Sequence, residues 1–222
     1  MGIEKNTIIW FCSDNGGLKN ISPTTVGSLK GNKNTMWEGG LRVPAIIEWP
    51  ETINPGITKY PVSTMDIFPT LLEIVGLYPS NKYSNLDGKS ITNLFEANKQ
   101  KRTLKIPFRF DNRGALIDNN IKLVVHDIKK LDFELYDLSK DPSESIDISK
   151  SNPQIFELMK NEFLIWNNSV ENEVNKIAEA SFGVEFMKSN QETEDLMSED
   201  SSNFQSFMIF IFSLYSTNKK II

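Results

Sequence analysis

Cysteine and histidine are nearly absent from this chain: each occurs once, as Cys12 and His126, among 222 residues. One cysteine cannot close an internal disulfide or assemble a thiolate metal cluster, which leaves the redox compartment open. Positive charge is not in excess either. Lys and Arg total 24 against 29 Asp and Glu, a net charge of -5, so no broad positive field exists for a polyanion and nucleic acid is excluded as a main partner. No apolar run is long enough to span a bilayer as a helix, so a membrane association is not expected. Residues 1–10 lack the basic start, apolar stretch and small-residue cleavage site of a signal peptide, so an export signal, if the protein is exported, lies upstream of Met1. What is present is 39% hydrophobic and 10% aromatic content, enough to bury a core in one medium domain or two small ones.

The apolar run TIIWFC at 7–12 empties into Ser13, Asp14, Asn15, Gly16 and Gly17. This predicts a buried strand with any chemistry at its C-terminal mouth. VPAIIEWP at 43–50 predicts a second buried strand, ended by Pro50. Asp66 is placed to cap a helix that tolerates Pro69 in its first turn, turns Phe68, Leu71, Leu72 and Val75 toward the sheet, and stops at Gly76. EANKQKRT at 96–103 has no apolar pattern and marks a boundary. After it IPFRF at 106–110, GALID at 114–118, IKLVVHD at 121–127 and FELYDL at 133–138 predict a small antiparallel sheet. Asn152 as N-cap and Pro153 at the first helical position then open a long helix. Its stripe of Ile155, Met159, Phe163, Trp166, Val170 and Val174 should pack on that sheet. The apolar segment at 204–215 follows an acidic, Ser-rich stretch and reads as a tail past the domain's end or an interfacial anchor. The expected organisation is an α/β part over 1–100, a small α+β part over 101–176 and a tail over 177–222.

Asp14 and Asn15 set a carboxylate and an amide carbonyl side by side where a strand opens into a glycine-rich loop, a donor pair suited to a hard divalent cation. An Asx turn explains the same residues. Lys33 lies in a loop flanked by Gly31, Asn32 and Asn34, where its ammonium is either solvated or aimed into a site. Glu38 and Arg42, four apart, read as an ion pair near a turn. His126 follows Leu123, Val124 and Val125 in a strand and reads as structural, although it is the chain's one conventional general acid. Cys12 reads as a core residue, and Asp137, Asp141 and Glu144 as turn chemistry.

The ordered set SDNGG, then GNKNTMWEGGLRVP, DIFPTLL, LDGKS and ELYDLSKDPSE resembles the sulfatase family from about Thr7 to Val174. The first two motifs are the diagnostic ones. The resemblance implies the C-terminal part of an alkaline-phosphatase-like α/β core, a mixed sheet with helices, followed by a small antiparallel sheet packed against a long helix. It implies calcium, or magnesium, on Asp14 and Asn15, a sulfate contact from Lys33, and a structural brace for that loop from Glu38 to Pro44. In such enzymes the nucleophile is a formylglycine made within a C-x-P-S-R-like motif; none occurs in these 222 residues, so no catalytic residue is assigned and the chain alone is expected to be inactive. The implied substrate is a sulfated small molecule or carbohydrate, and the implied compartment periplasmic or secreted. Two other readings stay open: a non-catalytic binding module derived from a sulfatase, and a related metal-dependent phosphodiesterase or phosphonate hydrolase.

Overall fold

A computed structural model of the chain describes residues 2–77, 86–96 and 101–185. The expected apolar tail at 204–215 and part of the expected boundary at 96–103 lie outside the described residues. The chain divides into two compact units, Met1–Asn167 and Asn168–Ile222.

β1 (Ile9–Cys12) pairs antiparallel with β2 (Ala45–Glu48), setting Phe11 opposite Ile46. The strands form where the apolar runs predict them, but not buried. Ile9, Phe11 and Ile46 are 56%, 59% and 64% exposed on one face of this two-stranded sheet, while Trp10, Cys12 and Ile47 on the other are half-buried. Cys12 is thus a half-buried free thiol and not a core residue. Between the strands lie a long loop and α1, a single turn over Glu38–Leu41.

A 3₁₀ turn over Thr64–Asp66 leads into α2 (Ile67–Ile74). The cap differs from the expected one. Ser63 supplies it, its hydroxyl accepting from the Met65 N–H, while the buried Asp66 carboxylate accepts from the Ser63 and Lys89 N–H groups and pairs with both terminal nitrogens of buried Arg102 at 2.7 and 2.8 Å. α2 buries Pro69, Thr70 and Leu72 and leaves Phe68 and Val75 exposed, because it packs on the 3₁₀ turns Thr64–Asp66 and Thr92–Leu94 instead of over a sheet. Gly76 ends it at φ 74°, as its sequence position suggests.

The second sheet is an antiparallel meander of β3 (Ile106–Phe110), β4 (Arg113–Asp118), β5 (Ile121–Asp127) and β6 (Asp132–Asp137), in that order. Leu116, Leu123, Val125, Phe133 and Leu135 alternate onto one face and meet Met159 and Phe163 of α3 (Pro153–Glu185). Each of these side chains contributes roughly 1.5–3 kcal/mol of burial. Ile155 and Val174, expected in the buried stripe, are exposed; Phe156 and the fully buried Asn167 take places on it instead. The opposite face carries Ala115, Val124 and Tyr136 and packs on Met36, Trp37 and Leu41. Both faces of this small sheet are therefore covered, one by a helix and one by the loop that holds Lys33. No described helix is long and apolar enough to cross a membrane.

Candidate active site

Two loops meet at the mouth of β1, and their backbones are joined directly. The Gly16 N–H donates to the Gly40 carbonyl at 2.9 Å, the Lys33 N–H to the Gly17 carbonyl at 2.8 Å and the Ser13 N–H to the Pro44 carbonyl at 3.3 Å. Glycine makes the approach possible. A Cβ on Gly16 would run into the Gly39 carbonyl and the Gly40 Cα, and one on Gly40 into the Thr35 and Asn32 carbonyls. The glycines of both loops are thus contact surfaces between two backbones, the close approach that a glycine-rich loop at this position permits.

Within this frame Asp14 is exposed and Asn15 half-buried, the Ser13 hydroxyl donating to the Asn15 carbonyl at 2.9 Å. Lys33 is exposed on a closed turn: the Thr35 hydroxyl donates to the Asn32 carbonyl at 2.7 Å and accepts from the Asn32 N–H at 3.1 Å. Arg113 of β4 donates to the Asn34 carbonyl at 2.8 Å. The side chains of Asp14, Asn15 and Lys33 have no hydrogen-bonding or ionic partner among the described residues. The structure therefore brings their loops together and leaves their side-chain polar atoms uncommitted among the described residues.

The donor set suits a hard cation but does not complete its shell. Asp14 and Asn15 offer oxygen ligands, of which calcium takes 6–8. Among the described residues no group of three His, Cys, Asp or Glu side chains could hold a metal. Backbone carbonyls, water or further ligands would have to fill the remaining positions.

Beneath the Lys33 loop lies a layer of which the sequence pointed only to Glu38, in the brace expected from Glu38 to Pro44; Glu144, read there as turn chemistry, is instead a buried partner within it. Lys30 sits 3.5 Å over the Trp37 ring and donates to the Glu144 carbonyl at 3.0 Å. Glu38, only 5% exposed, meets the ammonium of Lys122 at 2.9 Å; its pairing with exposed Arg42, anticipated from their spacing, is a long 3.9 Å contact. Lys122 is fully buried and also meets Glu144 at 2.8 Å, and Glu144 accepts the Glu38 N–H at 2.6 Å. Burial pushes the Glu144 carboxyl above its usual range, against the pull of Lys122 and the Glu38 N–H. Glu144 also holds φ 52° in the DPSE turn, a left-handed conformation uncommon for glutamate.

His126 rests against the Trp37 ring, centroids 5.0 Å apart, and its Nε2 lies 2.6 Å from Glu134, which also accepts the Tyr136 hydroxyl at 2.7 Å. Burial and Glu134 raise the Tyr136 pKa, keeping the phenol a hydrogen-bond donor. Asp141 is turn chemistry, accepting the Ser145 and Ile146 N–H groups at 2.7 and 2.8 Å, and Asp137 accepts the Ser139 N–H at 3.0 Å.

Residues 1–77 match the family model described as Sulfatase. A protein from Formosa agariphila described as a sulfatase is 37% identical over 169 residues, covering 68% of this chain and 30% of that protein. Human steryl-sulfatase is 34% identical over 118 residues, covering 50% of this chain and 20% of the relative. The chain thus spans about a third or less of the curated relatives it matches. Among solved structures, that of Ps i-CgsB in complex with k-i-k-neocarrahexaose superposes with TM-score 0.62 at 30% identity, covering 73% of this chain and 37% of that one.

Proposed function

This chain belongs to the sulfatase family, and on that premise we propose that its two hydrogen-bonded loops hold the divalent cation and the sulfate group of a sulfate-ester hydrolase. The observation that carries this reading is the direct backbone contact between the SDNGG loop and the Lys33 loop, with Asp14, Asn15 and Lys33 uncommitted on them. Asp14 supplies a carboxylate oxygen and Asn15 a carboxamide oxygen to calcium, or to magnesium. When bound, that cation supplies polarisation of a sulfate oxygen. Lys33 supplies three N–H donors and a positive charge that offsets the charge of the transferring sulfuryl group. Its main chain is pinned to Gly17 and its neighbour's carbonyl to Arg113, so the ammonium is delivered from a fixed backbone. The substrate class is a sulfated carbohydrate or a small sulfate ester; the superposition on the structure holding neocarrahexaose supports the carbohydrate.

Titration of the chain with calcium chloride and with sodium sulfate, followed by backbone and side-chain NMR, tests this. Calcium should shift Asp14 and Asn15, and sulfate should shift Lys33. Asp14→Ala should abolish the first response and Lys33→Ala the second. In a protein that pairs these loops with a formylglycine nucleophile, Lys33→Ala should lower turnover of an aryl sulfate by about 10²–10³-fold. Unchanged turnover in that variant would sink the role given to Lys33.

A further inference from the structure

We propose that Glu144 is a positioning residue for the Lys33 loop, acting from the DPSE turn of the small sheet through Glu38, Lys122 and Lys30. This deepens the proposed function and rests on it for the purpose of the positioning.

One residue converges three of the loop's anchors. Its carboxylate accepts the Glu38 N–H, which opens α1 immediately after the Lys33 turn. The same carboxylate pairs with Lys122, whose ammonium in turn holds the Glu38 side chain. Its carbonyl accepts from Lys30, fixed over Trp37 at the other end of the loop. Residues 30 and 38 are the two ends of the segment that carries Lys33, and they are also tied to each other through the Gly39 N–H on the Lys30 carbonyl at 2.8 Å. A turn more than a hundred residues downstream therefore clamps both feet of the loop.

The burial is what gives the clamp its strength. Lys122 and Glu144 are each fully buried, so neither charge has water to fall back on: without Glu144 the Lys122 ammonium keeps only Glu38, and the Glu38 N–H and the Lys30 ammonium lose their acceptors. The left-handed backbone at Glu144 adds a second sign of constraint, since a β-carbon residue is held there against its own preference. A merely solvated turn of this sequence would need neither the buried carboxylate nor that backbone. The position of Lys33 relative to Asp14 then depends on a charge network that touches neither.

Hydrogen exchange on the full chain separates positioning from general stability. Glu144→Ala should speed exchange of the Lys33, Gly16 and Gly39 amides by at least about tenfold, while amides of β5 and β6 stay protected. Glu144→Gln, which keeps an acceptor for the Glu38 N–H at nearly the same size, should restore most of the loop's protection. If the alanine form does not fold, Lys30→Met, which removes the part-buried donor to the Glu144 carbonyl, is the variant to read and should speed exchange of the same loop amides. Equal acceleration of loop and sheet amides, or loop exchange within about twofold of the parent, would overturn the proposal. Sodium sulfate followed at Lys33 supplies the functional arm: Glu144→Ala should weaken its binding about tenfold, and unchanged binding would overturn positioning for sulfate. If the parent chain shows no sulfate response at all, the proposed function falls, and the exchange measurement alone still decides whether Glu144 holds the loop.

Discussion

At the scale of single residues, the site is shaped as much by missing side chains as by present ones. Gly16 and Gly40 let two main chains touch, and the hydrogen bonds between their loops fix where Asp14 and Lys33 emerge. Adding a methyl at Gly16 has nowhere to go, because the obstruction is the backbone of Gly39 and Gly40 and not the tip of a flexible side chain. Gly16→Ala should destabilise the chain by about 1–3 kcal/mol. At roughly 2–4 °C per kcal/mol for a chain of this size, the melting temperature should fall visibly. Gly56→Ala is the matched control, since a Cβ there meets only the Asn54 carbonyl at 3.9 Å. Equal melting temperatures for the two variants would show that the loops have room to separate.

At the scale of elements, hairpin ends carry the acid sensitivity. Asp127, where β5 closes, accepts the Lys130 N–H at 3.0 Å and the Asn112 amide at 2.6 Å and pairs with the Lys130 ammonium at 3.0 Å. The Lys130 interactions above all hold its carboxyl down from 3.8 to about 2. A depressed folded-state pKa means the contribution is present above the unfolded value and lost as pH falls from 3.8 toward about 2. Asp127→Asn should therefore flatten the dependence of unfolding free energy on pH in that window, measured by denaturant titration. An unchanged slope would assign the acid sensitivity elsewhere. These same hairpins explain why the small sheet was readable in advance. Asp111 and Asn119 adopt φ 57° and 54° in tight turns, the conformation that short Asx side chains tolerate, and the runs between them alternate with period two. What period two does not say is which face meets water. IKLVVHD puts Lys122 and His126 with Val124, and nothing in the run itself says what covers that face. The loop at 30–41 covers it, and Lys122 is buried because its partner Glu38 lies 84 positions away. Motif order singled out Asp14, Asn15 and Lys33, whose loops the fold joins through their backbones. Of the clamp only Glu38 was legible, through the brace expected there; Lys30, Lys122 and Glu144 belong to segments whose meeting is a property of the fold.

At the scale of the molecule, the two sheets are finished to different degrees. The meander from β3 to β6 is covered on both faces by α3 and by the loop, whereas β1 and β2 present Ile9, Phe11 and Ile46 to solvent on one face. Among the described residues this two-stranded sheet also leaves hydrogen-bonding edges unpaired, and the combination of open edge and apolar face is the pattern that associates with copies of itself. The chain by itself should therefore self-associate through β1 and β2 at micromolar concentrations, read as a rise in mass by light scattering during size exclusion. Phe11→Thr with Ile46→Thr places a β-branched residue suited to a strand at both positions while removing apolar area from the exposed cross-strand pair. The double variant should elute closer to the monomer mass. Because neither side chain is buried, its melting temperature should stay near that of the parent. A parent chain that runs as a monodisperse monomer would remove the reason for the prediction, and a variant that associates as strongly as the parent would place the contact on another surface.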